Sequence, residues 1–173
     1  MTPEQIANEV QAAGAEMVVI TGGEPTVYDL APLVSALGLV GAMVHLETSG
    51  GFPIQGLMDW VTLSPKKWKP PIEENIMLAD EFKIIVEEPE DIYFYYGMLC
   101  EKGLPTTAHI PIWLHPEWSH RNDLAVLGAI IEAVKGSGLF RAGWQLHKLY
   151  QVDACDQRSR PLVPLGGDPA KGI

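Results

Sequence analysis

The chain has 173 residues, 47% hydrophobic and 20% charged, which fits one globular domain with a sizeable core and excludes an intrinsically disordered chain. Twelve Lys and Arg against 22 Asp and Glu give a net charge of -10, which repels phosphate backbones and anionic membranes and leaves a small-molecule ligand as the expected partner. The two cysteines, Cys100 and Cys155, lie far apart; they form no disulfide framework, no zinc-type spacing and no ligand set for an iron–sulfur cluster. No apolar run approaches the roughly 20 residues that span a bilayer, and Met1-Thr2-Pro3-Glu4-Gln5 lacks the basic and apolar parts of a signal peptide, so a cytoplasmic location is expected.

In chain order, Thr2, Pro3 and Gln5 predict a capped helix with Ile6, Val10 and Ala13 on one face, stopped by Gly14. The continuous apolar run 16–21 predicts a strand buried on both sides, and it enters Gly22-Gly23-Glu24-Pro25. Leu30, Leu33, Val34 and Leu37 keep helical spacing up to Gly38, and a second buried strand, 43–47, ends at Thr48-Ser49-Gly50-Gly51. Strands follow at 60–63 and 82–86, the first running into Ser64-Pro65-Lys66-Lys67 and a Pro-rich loop. An amphipathic helix over 90–102, a strand over 108–114 weakened by Pro111, a helix over 122–135 and a last strand over 139–147 complete the series. Residues 1–151 therefore read as one domain, and 152–173, rich in Pro and Gly, as an irregular tail.

Alternating strands and helices predict an α/β fold with a mostly parallel sheet, either closed as a barrel or open and doubly wound. Opening on a helix is peculiar for such an array, which should begin with a strand. In both architectures ligands bind beyond the carboxyl ends of the strands, and the residues there are polar or glycine-rich: Thr21 to Pro25, Glu47 to Gly51, Ser64 to Lys67, His115 to Trp118 and Gln145 to Lys148. Adjacent glycines let a ligand reach backbone N–H and C=O groups, and a carboxylate beside them can meet a ligand ammonium. A single Gly-Gly-Glu-Pro reads first as a tight turn with Glu24 near a helix start; the serial repetition at successive strand ends shifts the weight toward a binding role. His115 and His120 read as pocket-lining or surface residues rather than a metal pair, and Cys100 reads as a small buried hydrophobe. His45 reads as a core histidine with one partner, and Tyr93 to Tyr96 as an aromatic packing cluster in which an exposed subset could meet a second subunit.

Thr21-Gly22-Gly23-Glu24-Pro25 resembles the S-adenosylmethionine-binding turn of radical S-adenosylmethionine enzymes. With Glu47-Thr48-Ser49-Gly50, Ser64-Pro65-Lys66, 82–86, Leu114 to Trp118 and Gln145 to Lys148 in the same order, the chain resembles the 7-carboxy-7-deazaguanine synthase family over roughly residues 2–149. The resemblance implies rearrangement of 6-carboxytetrahydropterin to 7-carboxy-7-deazaguanine with loss of ammonia, on the route to queuosine. It implies that Thr21 contacts substrate, and that Gly22, Gly23, Glu24, Ser64, Pro65, Lys66 and the block His115, Pro116, Glu117 and Trp118 contact S-adenosylmethionine. That last block usually opens on Gln-Pro, so His115 is a departure.

The family also implies a four-iron four-sulfur cluster on Cys-x-x-x-Cys-x-x-Cys after the first barrel strand, and a magnesium ion. This sequence contains neither that motif nor the magnesium-holding hydroxyl residue beside it. The expectation is therefore a partial parallel βα barrel of radical S-adenosylmethionine type with the first strand and cluster loop absent. A homodimer, or a partner supplying the strand, would then complete it. On one reading the chain is a shortened synthase, inactive alone; on another it is a cluster-less homologue that binds S-adenosylmethionine or a pterin; an unrelated α/β domain is the third.

Overall fold

A computed structural model describes residues 1–104 and 110–150. The N-terminal helix α1 (Pro3–Ala13) forms as its cap predicts: the Thr2 hydroxyl accepts from the Gln5 backbone N–H while the Gln5 side chain accepts from that of Thr2, and Gly14 closes it at a left-handed φ of 64°. Six strands follow, β1 (Met17–Ile20), β2 (Met43–Thr48), β3 (Trp60–Leu63), β4 (Glu81–Val86), β5 (Ile112–Pro116) and β6 (Phe140–Ala142). Between and after them lie α2 (Ala31–Leu39), α3 (Glu73–Leu78), α4 (Asp91–Glu101), α5 (Leu124–Ser137) and α6 (Leu146–Leu149), with 3₁₀ turns at Pro25–Val27 and Trp118–His120.

All neighbouring strands are parallel, and the order β1-β2-β3-β4-β5-β6 follows the chain without reversal. That order decides between the two expected architectures. A doubly wound sheet reverses direction at a switch point and carries helices on both faces; a monotonic order with right-handed crossovers keeps the helices on one face and curls the sheet toward a barrel. The expected partial parallel βα barrel is what the chain forms.

Alternate strand residues accordingly go two ways. Val44, Leu46, Val61, Leu63, Phe82, Ile84, Val86, Ile112 and Leu114 are buried against the helices. One cluster runs from β3 to β6 beneath α3, α4 and α5, and a smaller one joins Ala7, Leu37 and Val44 under α1 and α2. The intervening residues, among them His45, Glu47, Thr62, Glu81, Lys83, Trp113 and His115, face the concave side and are only half-buried. This inner face is polar, unlike the apolar fill of an ordinary closed barrel.

Several boundaries differ from those read in the sequence. The Pro-rich loop before β4 contains α3, whose six residues are too few for a periodicity signal. The strand expected at 108–114 runs from Ile112 to Pro116, so Pro111 precedes it and His115 and Pro116 belong to it; 105–109 lie outside the described residues. The last strand is three residues long, and Gln145 to Lys148 leave it as the start of a short helix. The tail expected at 152–173 also lies outside the described residues. No described helix is long and apolar enough to cross a membrane.

Candidate functional site

The carboxyl ends of β1, β2 and β3 open onto a depression of about 450 Å³, lined by Thr21, Gly22, Gly23, Glu24, Glu47, Thr48, Ser49, Ser64, Lys66, Trp68 and Lys69. Three blocks singled out from the sequence thus meet in one place because parallel strands in sequential order bring all their carboxyl ends to the same rim.

Glu24 holds this corner together. Its carboxylate is 5% exposed and accepts from the Thr26 N–H at 3.1 Å, the Thr26 hydroxyl at 2.6 Å and the Thr48 hydroxyl, and from both the N–H (2.8 Å) and hydroxyl of Ser49. Burial pushes its pKa up, but the hydrogen bonds from Ser49, Thr26 and Thr48 outweigh that and keep it below the ordinary carboxylate range. Both oxygens are occupied within the fold, so the carboxylate binds the β1 turn to the end of β2 and points its charge inward. The turn is open on its side-chain face: Gly22 has φ 136°, a conformation favoured by glycine, and no atom lies within 4 Å of where a Cβ would stand.

The wall opposite comes from the loop after β3. Ser64 is buried, and Lys66 donates to its hydroxyl at 3.3 Å. Burial, and then the nearby Lys83 ammonium, lower the Lys66 pKa against the pull of Glu47 and Glu24. Glu47 and Lys83 form an ion pair across the inner face. Lys67 leaves the pocket to pair with the buried Asp91 carboxylate at the start of α4. That carboxylate also accepts from the Glu87 and Glu88 backbone N–H groups.

Asn75 had no signal in the sequence, because it belongs to the short α3 and to no motif. It is 1% exposed and donates to the carbonyls of Gly50 at 2.8 Å and Phe52 at 2.7 Å, while accepting from the Ile54 N–H at 3.4 Å. It thereby fixes the glycine loop after β2. Gly50 sits at φ 78° against Leu63 and Pro71, and Lys69 crosses Gly51 to place its ammonium 3.6 Å from the Phe52 ring centroid.

The fourth block is split. His115 stands on the inner face of β5, where burial, and then Lys83, lower its pKa to about 4, so its imidazole is neutral. Gly143 makes room for the ring, since a Cβ there would lie 2.2 Å from Nε2. Pro116 is buried in the strand. Glu117 turns away to cap the 3₁₀ turn through the N–H and hydroxyl of Ser119, and Trp118 stacks under Arg121 with 4.5 Å between guanidinium carbon and ring. His45 stacks on Trp60 with centroids 6.2 Å apart, on the inner face rather than in the helix-side core. Cys100 packs half-buried beside the main core on α4.

These features define a class. A monotonic parallel βα sheet with a polar inner face and a glycine turn clamped at the rim is the partial-barrel fold of the radical S-adenosylmethionine enzymes, and solved chains are similar to it. The crystal structure of QueE from Escherichia coli superposes with a TM-score of 0.66 at 28% identity, over 84% of this chain and 64% of that one.

Among curated proteins, the 7-carboxy-7-deazaguanine synthase of Synechocystis is 41% identical over 151 residues, 87% of this chain and 69% of its own length. Those of Flavobacterium psychrophilum and Prochlorococcus marinus are 33% and 30% identical, covering 80% and 85% of this chain and 63% and 74% of their own lengths. No family model matches. The chain belongs to the 7-carboxy-7-deazaguanine synthase family, and it spans about two thirds of the length of these relatives.

The family's cofactors fit these residues unequally. A turn with open space at Gly22, beside Ser64 and Lys66, suits S-adenosylmethionine, whose amino-acid and ribose groups present donors and acceptors. The iron–sulfur cluster does not fit: it needs three thiolates, the sequence has two cysteines, and Cys100 lies in the helix layer. No group of three His, Cys, Asp or Glu able to hold a metal occurs among the described residues.

Proposed function

We propose that this chain serves the rearrangement of 6-carboxytetrahydropterin to 7-carboxy-7-deazaguanine by holding S-adenosylmethionine and the pterin at the carboxyl rim of its half-barrel. The three cluster thiolates must come from outside these 173 residues. The observation that carries this reading is the five-bond clamp of Glu24 on the Gly22-Gly23 turn, next to Ser64 and Lys66 on a neighbouring strand end.

S-adenosylmethionine, when bound, supplies the adenosyl group that the family's chemistry uses. The chain's own residues bind and orient. The turn offers backbone N–H and C=O groups to the methionine end, Glu24 fixes that turn rather than spending its charge on the ligand, and Ser64 offers a hydroxyl. Lys66 supplies a cation whose charge is softened by burial. On this reading Thr21, exposed in the pocket lining, contacts the substrate, and neutral His115 offers one donor and one acceptor where an amide is usual.

Calorimetry with S-adenosylmethionine tests the site: Glu24→Ala, which unties the turn, and Gly23→Val, which adds a branched side chain to it, should each weaken binding at least about tenfold. Binding unchanged by both would overturn the site assignment. Anaerobic reconstitution with iron and sulfide, followed by incubation with S-adenosylmethionine and the carboxypterin, should yield no deazapurine from the 173-residue chain alone. Product above the no-enzyme control would show that these residues do assemble a working cluster.

A further inference from the structure

The turn after β3 carries a side chain that the fold leaves unused. Lys66 and Lys69 face each other in an antiparallel bridge, so Lys67 and Trp68 form the tip of a tight turn. Its other three residues are tied down: Lys66 donates to Ser64, Lys67 pairs with Asp91 and Glu88, and Lys69 lies over the Phe52 ring. Trp68 lines the same pocket as the Gly22-Gly23 turn, yet it is 46% exposed. Among the described residues no hydrogen bond, second ring or side-chain cation engages its indole. By contrast Phe52, Phe94, Trp113 and Trp118 each lie 3.6 to 5.6 Å from a lysine or arginine, Arg141 being the one beside Trp113.

The charges of the pocket give that bare ring a use. Both carboxylates in the lining are already engaged, Glu24 by its five hydrogen bonds inside the fold and Glu47 by the Lys83 ammonium at 2.5 Å. The remaining charged groups there, Lys66 and Lys69, are cations. S-adenosylmethionine carries a sulfonium, which has no hydrogen to donate and spreads its charge over the carbons bonded to sulfur. A carboxylate cannot hold such an ion by a hydrogen bond, whereas the negative face of an aromatic ring attracts it, and Trp offers the strongest such face. A ring on a turn fixed at its other three residues also gives up little freedom when a ligand covers it.

We infer that Trp68 is the sulfonium-recognising residue of this pocket and sets a preference for S-adenosylmethionine over S-adenosylhomocysteine, the neutral thioether of otherwise similar shape. This rests on the S-adenosylmethionine reading above and adds to it a charge-selecting residue outside the glycine turn and the Ser64-Pro65-Lys66 block. Phe52 does not serve this role because Lys69 covers its face, and Trp113 is absent from the pocket lining.

The test is calorimetry of the whole chain with S-adenosylmethionine and with S-adenosylhomocysteine, for the native protein, Trp68→Phe and Trp68→Leu. Packing of the ring against the ligand is common to both compounds and cancels in the ratio of their Kd values; the sulfonium charge does not. Expected is a native preference for S-adenosylmethionine of at least about fivefold, falling below about twofold in Trp68→Leu, with Trp68→Phe between. Quenching of tryptophan fluorescence by S-adenosylmethionine should shrink in Trp68→Phe. If the native chain binds S-adenosylmethionine and Trp68→Leu keeps the native ratio, whether both affinities hold or both drop together, the sulfonium assignment is overturned while the site reading stands. Equal native binding of the two compounds, or tighter binding of the thioether, overturns it in the same way. If neither compound binds the native chain, both readings fall. Should Trp68→Leu melt early, Trp68→Phe carries the comparison, and an unchanged ratio there overturns the assignment.

Discussion

The two ends of the sheet are held by polar groups of opposite kinds. At the amino end, exposed aspartates staple strand to strand: Asp59 accepts from the Val44 N–H and Asp80 from the Val61 N–H, both at 2.7 Å, while their own N–H groups donate to the carbonyls of Val44 and Val61. At the carboxyl end Glu24, Asn75 and Asp91 are buried, at 5%, 1% and 1% exposure, and each joins segments distant in the chain. Exposed staples exchange readily with water and contribute little net stability each. Buried groups are costly to leave unpaired, so every partner at the rim must stay in place. A rim built this way keeps loops from four strand ends in register for a ligand, at a cost that the amino end does not carry.

The contrast is sharpest at Asn75. Asn75→Leu removes the donors to the Gly50 and Phe52 carbonyls and should cost about 3 kcal/mol in chemical denaturation, with S-adenosylmethionine affinity falling in parallel because this loop continues from the pocket-lining Ser49 and packs against the pocket-lining Lys69. A loss below about 1 kcal/mol would mean that glycine packing alone holds this loop.

His115 offers a test by pH. Its pKa is about 4 in the folded protein against 6.5 without perturbation, so between those values the unfolded chain takes up a proton that the folded one refuses. Stability is then full above pH 6.5, falls as the pH drops toward 4 and levels off below, as far as this residue is concerned. In His115→Gln that part of the acid slope should vanish; a slope identical to the native one across the same window would mean that burial does not hold this imidazole neutral. The smallest effect belongs to the amino end, where Asp80→Asn should cost under about 1 kcal/mol and leave S-adenosylmethionine binding untouched. Loss of binding there would erase the distinction between the two ends.

Much of the molecule is legible in local pattern. The capping box at Thr2 and Gln5, the apolar runs of β1 and β2 and the glycine stops are determined by neighbours in sequence, and they fall where periodicity and cap chemistry put them. Three of the rim blocks were legible for the same reason: in a parallel array every strand ends at the same rim, so the polar residues after the apolar runs of β1, β2 and β3 meet in one depression. β5 was misplaced because an apolar run carries no mark of where pairing begins, and only its register with β4 puts His115 and Pro116 inside the strand.

What the sequence determined by itself is the alternation of elements, the family, and the lack of three cluster thiolates, since each depends on residue identity and short-range order. What only the tertiary structure decided is the use of the charged side chains. Glu24 looked free to meet a ligand and is instead enclosed by Thr26, Thr48 and Ser49, Asn75 looked like any polar residue and holds a loop, and Arg141 lies beside the ring of Trp113. A carboxylate, amide or guanidinium takes its role from groups within about 3 to 6 Å, and those groups come from strands and loops that folding, not sequence proximity, brings together.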